Sequence, residues 1–291
     1  MGSRLSSPAF RLARAALLLL LAALVGFPFF LAASVSLQTM AEINAPQATL
    51  LPASPQWQNY ANAFAMGDWP RYFLNSLVFA LTTTLLSLII NSMAGFALAR
   101  IPFRGSGALL VIIMVGMMVP LQTILIPTFR LLRAWPLAGG NDLLGRGGTG
   151  LYNTFAGLMM PYIAGSFGVF LCRQFYIGFP HELDDAAQMD GCTRLGQYLR
   201  IYLPLSGPLF ASLGVLKFTG AFNEYTLPLV LTSGERIKTV QLALTMFTDE
   251  SETKWNLLLA ASLTASALIF LLFAFAQKQF VSGLLSGSVK G

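Results

Sequence analysis

Charge is scarce in this sequence: 10% of its 291 residues are Asp, Glu, Lys or Arg, against about 25% in an ordinary soluble domain. So few ionised groups cannot wet the surface of a water-soluble chain of this length, which excludes that class. Histidine occurs once, at His181, and cysteine twice, at Cys172 and Cys192. Neither a zinc site nor a disulfide framework can be assembled from them, and a lone histidine offers no acid–base pair for an enzyme. A Gly-Lys-Ser or Gly-Lys-Thr phosphate cradle is also missing, so the chain does not hydrolyse nucleotide by itself. The net charge of +6 would suit nucleic acid, yet the basic residues stand singly at the ends of apolar stretches instead of in a run. They read as topology signals, and no metal, cofactor or nucleic acid is expected on this chain.

Apolar length is what the sequence has in abundance. Hydrophobic residues make up 55% of it, the mean hydropathy is +0.66, and six blocks are long enough to span a roughly 30 Å hydrocarbon layer at about 1.5 Å per residue. They cover residues 15–37, 72–99, 107–132, 153–175, 208–232 and 256–280. The chain therefore divides into a tail and first helix (1–37), an outer loop (38–71), a core of five helices (72–281) and a closing tail (282–291). The first block follows Arg4, Arg11 and Arg14 and exceeds the 7–15 apolar residues of a signal peptide, so a retained anchor is expected. With the amino terminus inside, Arg100, Arg104, Arg173, Arg194, Arg200, Lys278 and Lys290 join those three arginines on the cytoplasmic side. Arg71, Arg130, Arg133, Arg146, Arg236, Lys238 and Lys254 lie outside, a weak bias of the right sign that also puts the carboxyl terminus inside.

Two outer loops stand out. Residues 38–70 carry Pro46, Pro52, Pro55, Trp57 and Trp69, which predicts a folded excursion with tryptophans at headgroup depth. Residues 139–150 are glycine-rich, but no strand precedes them and no Gly-Lys-Ser/Thr ends them, so a mobile loop of tight turns is expected instead of a phosphate site.

The inner segment 180–204 differs in character. Pro180 suits a helix start, and Glu182, Asp184 and Asp185 put negative charge at its N-terminal turn, worth about 0.3–1 kcal/mol each. Ala186 and Ala187 give that helix a low profile for the approach of another protein, and Asp190-Gly191 supplies a turn. Leu195, Tyr198, Leu199 and Tyr202 then recur at helical spacing, so two short helices at an angle are predicted. A helix lying flat on the membrane is the plainer alternative, but such helices are rich in Lys and Arg whereas this one is acidic.

Asp185-Ala186-Ala187-x-x-Asp190-Gly191, closed by Ile201-x-Leu203-Pro204, resembles the cytoplasmic "EAA" loop of binding-protein-dependent ABC importer permeases. Asp185 stands for the family's Glu, Cys192 for its Ala and Tyr198 for its Phe. Phe222-Asn223-Glu224-Tyr225 with Pro228-Leu229 is similar to a fifth-helix stretch of carbohydrate permeases, with Phe222 in place of Trp. Met118, Pro120, Gln122, Pro127, Asn75-Ser76, Phe280-Val281-x-Gly283 and the closing Val289-Lys290-Gly291 look like the MalG branch. The resemblance implies an all-α membrane protein, a six-helix type I importer permease whose coupling helix docks on a separate ATPase dimer. Glu182, Asp185, Ala186, Ala187, Asp190, Gly191, Leu203 and Pro204 would make that coupling site. It further implies a second, MalF-like permease, an outer solute-binding protein, ATP and magnesium used by the ATPase alone, and residence in the cytoplasmic membrane. By the same resemblance, residues 233–254 reach the binding protein and the tail after Phe280 contacts the ATPases.

Polar residues inside apolar blocks are costly, at least about 2.5–3.5 kcal/mol for an ionised group at the bilayer centre, and tend to face a cavity or a partner. Lys217, Asn223 and Glu224 are read as candidates for a translocation path, Lys217 and Glu224 being nearly two helical turns apart. Interhelical ties are an equal alternative for them. Gln122, between Pro120 and Pro127, is expected to donate to carbonyls that the prolines leave free, and Asn91 belongs to the same set of polar residues. A secondary transporter is the competing function, to be recognised by inverted repeats, broken helices or intramembrane carboxylates.

Overall fold

Apolar runs with few charges become helices because only a helix satisfies every backbone N–H and C=O within its own segment. The computed structural model describes residues 8–47, 49–249 and 252–288. Arg4, Lys290 and the closing residues 289–291 fall outside that range, and so do the side chains of Arg11 and Lys278. Among the described residues there is no β-strand, only an isolated bridge between Thr248 and Thr253. The chain forms two compact units, residues 1–68 with 244–268 and residues 69–243 with 269–291.

In the first unit, α1 (Pro8–Ser36) leaves Leu17 to Leu21 and Leu24 exposed, as an anchor helix in lipid requires. The loop beyond it is folded, as predicted. α2 (Met40–Ile43) starts in a capping box, where the Glu42 N–H donates to Thr39 Oγ1 at 3.2 Å and the Thr39 N–H donates to Glu42 Oε2 at 2.8 Å. α3 (Gln58–Ala65) buries Asn59, whose Nδ2 donates to the carbonyls of Ser36 and Gln38, both at 2.9 Å. Trp57 is exposed in this loop.

The second unit is organised around α4 (Trp69–Arg100), a 32-residue helix. Trp69 is fully buried at its start beside Tyr72 and Phe73. After α4 come α5 (Ser106–Met118), α6 (Leu121–Arg133), α7 (Phe155–Ile163), α8 (Ser166–Ile177), α9 (Glu182–Met189) and α10 (Arg194–Gln197). A π-helical turn (Tyr198–Tyr202) and α11 (Leu203–Leu205) lead into α12 (Gly207–Phe222), α13 (Thr226–Leu231) and α14 (Val240–Ala243), and α15 (Trp255–Ser288) closes the described chain. α8, α12 and α7 pack along α4. The α4–α8 approach is close at Gly95, where a methyl group would lie 2.5 Å from Cys172 Cβ, and small residues are what allow helices to meet without a hydrophobic driving force in lipid.

Three of the predicted spans are not single rods. The block 107–132 is α5 and α6, which meet at 105°. Pro120 has no N–H to continue α5 and forces Val119 to an extended ψ of 117°, so the helix stops there. The block 153–175 bends by 43° between α7 and α8, where the Asn91 side chain accepts the Gly165 N–H at 3.1 Å in place of a helical carbonyl. The block 208–232 stops at Phe222 and resumes at Thr226, and a 77° bend separates α12 from the chain before it. Periodicity and hydropathy see none of these breaks, because apolar composition continues through them. α1 from Leu12 to Ser36 and α4 are each long and apolar enough alone to cross a membrane.

Candidate functional site

The acidic segment folds as its spacing suggested, into two short helices joined by a glycine turn. α9 ends in a Schellman motif: the Gly191 N–H donates to Gln188 O at 3.0 Å and the Cys192 N–H to Ala187 O at 2.9 Å. Gly191 sits at φ +74°, where a Cβ costs about 1–2 kcal/mol. The next helix starts at once, with Thr193 Oγ1 accepting the Gly196 N–H at 3.1 Å.

This knob presents some of the predicted residues and withdraws others. Glu182, Asp185, Ala186, Asp190 and Gly191 are exposed, together with Met189. Their carboxylates make no hydrogen bond or ion pair among the described residues, so they are open to a basic partner. Ala187 is buried, so it supports the helix from beneath and does not line the approach expected of it. Leu203 packs against an aromatic cluster, and Pro204 is exposed at the first turn of α11.

Spacing did not distinguish Asp184 from Asp185, but the fold does. Asp184 turns inward: its Oδ2 is 3.1 Å from Arg100 Nη1 and its Oδ1 accepts the Tyr202 hydroxyl at 2.6 Å. The Arg100 side chain is 1% exposed and that of Asp184 is 9%. Arg100 Nε and Nη2 donate to Tyr176 O at 3.0 and 2.7 Å, Nη2 also donates to Phe179 O, and Nη1 lies 3.2 Å from His181 Nδ1. Its guanidinium stands 5.5 Å from the centre of the Tyr202 ring. Phe96, Tyr176, Phe179 and Tyr202 form one aromatic cluster, with ring centroids 4.9–6.5 Å apart. The π-helical turn puts Tyr198 and Tyr202 together on this inner side, while Leu195 and Leu199 of the predicted apolar set stay exposed. The one sequence signal for Arg100 was a basic residue ending an apolar block.

The three residues read as a translocation path are not brought together. Lys217 is half-buried on α12 and lies next to the α7–α8 break, where a methyl on Gly165 would sit 2.8 Å from its Nζ. Asn223 caps α12, is exposed and accepts from Gln241 Nε2 at 3.1 Å. Glu224 lies past the end of the helix and accepts the N–H groups of Thr226 and Leu227 at 2.9 and 3.3 Å, so it starts α13 instead of sharing a face with Lys217. No ion pair joins Lys217 to Glu224 among the described residues. Gln122 is exposed and makes none of the carbonyl contacts expected of it, whereas Asn91 is an interhelical tie, its Oδ1 accepting the Gly165 N–H at 3.1 Å while its Nδ2 donates within α4 to Ser87 Oγ at 2.6 Å.

At the other end of α4, Asn75 Nδ2 donates to the carbonyls of Arg236 and Lys238 at 3.1 and 2.9 Å, and the Val240 N–H donates to Ser76 Oγ at 2.8 Å. Glu235 is bonded by Lys238 Nζ at 2.5 Å and by the Tyr72 hydroxyl, and these two donors hold its carboxyl below the usual glutamate range. The glycine-rich loop 139–150 is tied together more firmly than a mobile loop would be. Asn141 is buried, donates to Arg133 O and Trp135 O at 2.9 and 3.0 Å and accepts the Gly148 N–H at 2.8 Å.

Residues 91–284 match the family described as binding-protein-dependent transport system inner membrane component. The chain is 32% identical to the arabinooligosaccharides transport system permease protein AraQ of Bacillus subtilis (strain 168), over 98% of this chain and 99% of the relative. It is 29% identical to the trehalose/maltose transport system permease protein MalG of Thermococcus litoralis, over 77% of this chain and 76% of the relative. Its fold is similar to a chain in the crystal structure of a bacterial ABC transporter involved in the import of the acidic polysaccharide alginate, with a TM-score of 0.74, 21% identity, and 94% and 96% of the two chains covered.

Proposed function

Since the chain belongs to the family of binding-protein-dependent transport system inner membrane components, we propose that it is the MalG-type permease subunit of an ATP-binding cassette importer that moves a carbohydrate into the cytoplasm. The relatives named for arabinooligosaccharides and for trehalose and maltose support the carbohydrate class. The observation that carries the mechanism is the α9 knob, acidic on its exposed face and free of internal partners there.

In this reading the chain crosses the membrane six times, with α1, α4, α5 with α6, the α7–α8 pair, α12 with α13, and α15 as the crossings, and both termini are cytoplasmic. Glu182, Asp185, Ala186, Asp190 and Gly191 dock on a separate ATPase, which alone binds ATP and magnesium. A second permease covers α5, which has no buried residue in this chain, and a binding protein delivers solute from outside. Asn223, exposed at the break after α12, is the residue best placed to meet the solute. Lys217 serves the α7–α8 break. Broken spans, which a secondary transporter also shows, do not separate the two functions here; family membership favours the importer.

The test is reconstitution of the complex in proteoliposomes with its binding protein and a panel of labelled maltodextrins, disaccharides, monosaccharides and glycerol phosphates. Uptake that needs both ATP and the binding protein is expected. Uptake by this chain alone, driven by an ion gradient, would overturn the proposal.

A further inference from the structure

We propose that Arg100 and Asp184 form an internal strut that hands the movement of α9 to α4, so that Asp184 serves transport from inside the chain and is not a contact of the ATPase; this rests on the function proposed above. Asp184 stands between Glu182 and Asp185 in an acidic run; the resemblance places those two in the docking site and gives Asp184 no role beyond charge at the start of the helix. Their environments are not equivalent. Both oxygens of Asp184 are already bonded inside the chain, one by Arg100 and one by Tyr202, and the side chain is 9% exposed. A group so placed cannot reach a second protein without first breaking a buried ion pair.

The load path follows from what else holds α9. Asp184 and Ala187 are its buried positions, and Ala187 has only a methyl group to grip with. Force applied to the exposed face therefore leaves the helix mainly through the Asp184 carboxylate, whose two bonds are the strongly directional ones that α9 side chains make to the bundle among the described residues. The receiving group is Arg100, the last residue of α4, and its remaining donors fix the end of α8 through Tyr176 O and Phe179 O. The second oxygen reaches Tyr202, in the π-helical turn that leads into α12. One carboxylate thus ties the proposed docking helix to the end of α4, through Arg100 to the end of α8, and to the π-helical turn that precedes α12. The covalent route from α9 to that turn passes instead through the left-handed backbone of Gly191, which makes it a poorer conductor of displacement.

The experiment compares Asp184→Asn, Tyr202→Phe and Asp185→Asn in the reconstituted importer, with four readouts: ATPase retained on purification, melting temperature, ATP hydrolysis, and solute moved per ATP. Asp184→Asn should retain the ATPase and its hydrolysis while solute per ATP falls about tenfold, the size of an ordinary coupling energy between sites. Tyr202→Phe removes one hydrogen bond and should lower the same ratio about twofold to threefold; it keeps the test open if Asp184→Asn fails to assemble. Asp185→Asn should instead weaken ATPase retention. An unchanged transport ratio in a folded Asp184→Asn or Tyr202→Phe complex overturns the strut. Loss of the ATPase from an intact Asp184→Asn permease pair also overturns it, because Asp184 would then be a docking contact. Failure of the wild-type complex to couple uptake to ATP would refute the importer reading and not the strut.

Discussion

Gly191 illustrates how one residue limits the knob. Its backbone lies in the left-handed region and nothing stands within 4 Å of where a Cβ would be, so conformation and not collision sets the cost of replacing it. Gly191→Ala should destabilise the end of α9 by about 1–2 kcal/mol, visible as faster hydrogen exchange at the Cys192 amide, and Gly191→Asn should lose less because Asn tolerates this region. Glu235 gives a prediction in pH. Its carboxyl is held below its usual range by Lys238 and Tyr72, so its contribution to stability is present above the unfolded glutamate pKa of about 4.3 and fades as pH falls through the lower folded value. The melting-temperature gap between wild type and Glu235→Gln should therefore be constant near neutrality and close only in acid below that range.

Helices pack here by the fit of small residues, and the sequence shows where apolar stretches lie better than how they meet. Gly95→Val should overpack the α4–α8 contact at a cost of about 1–3 kcal/mol, measured as a lower melting temperature in detergent, while Gly220→Ala, with nothing within 4 Å, should be neutral or stabilising. The α9 turn was legible because Asp190-Gly191 carries its own local conformational preference. So was the ordered outer loop, through its prolines. The breaks near Pro120, Gly165 and Asn223 were not, since apolar composition runs straight through them and proline or glycine in a membrane helix permits a bend without requiring one. The inward turn of Asp184 was out of reach as well. Its partner Arg100 is 84 residues away in the chain, and the motif that marks Asp185 as a docking acid says nothing of where its neighbour Asp184 turns.

At the scale of the whole chain, the exposed apolar surface of α5 marks what is incomplete in isolation. Met118 at its end is 80% exposed, and Met118→Cys, with Cys192 replaced by Ala, should react with a lipid-soluble maleimide in the chain alone and be protected once the second permease is co-expressed. Equal labelling in both states would place that partner elsewhere. Reversing the exposed charges in Asp185→Lys with Asp190→Lys should reduce the ATPase recovered on purification with little change in melting temperature, because neither side chain has a hydrogen-bond or ion-pair partner among the described residues and the dipole interaction lost at the start of α9 is offset by the one gained at its end. α4 has a wider consequence. It is unbroken over 32 residues, about 48 Å, with Asn75 and Ser76 clasped by the 236–240 segment near one end and Arg100 knotted to Asp184 at the other. A pushrod of that kind cannot shorten, so an axial slip of the clasp is felt at the knot without any chain of side-chain relays between them.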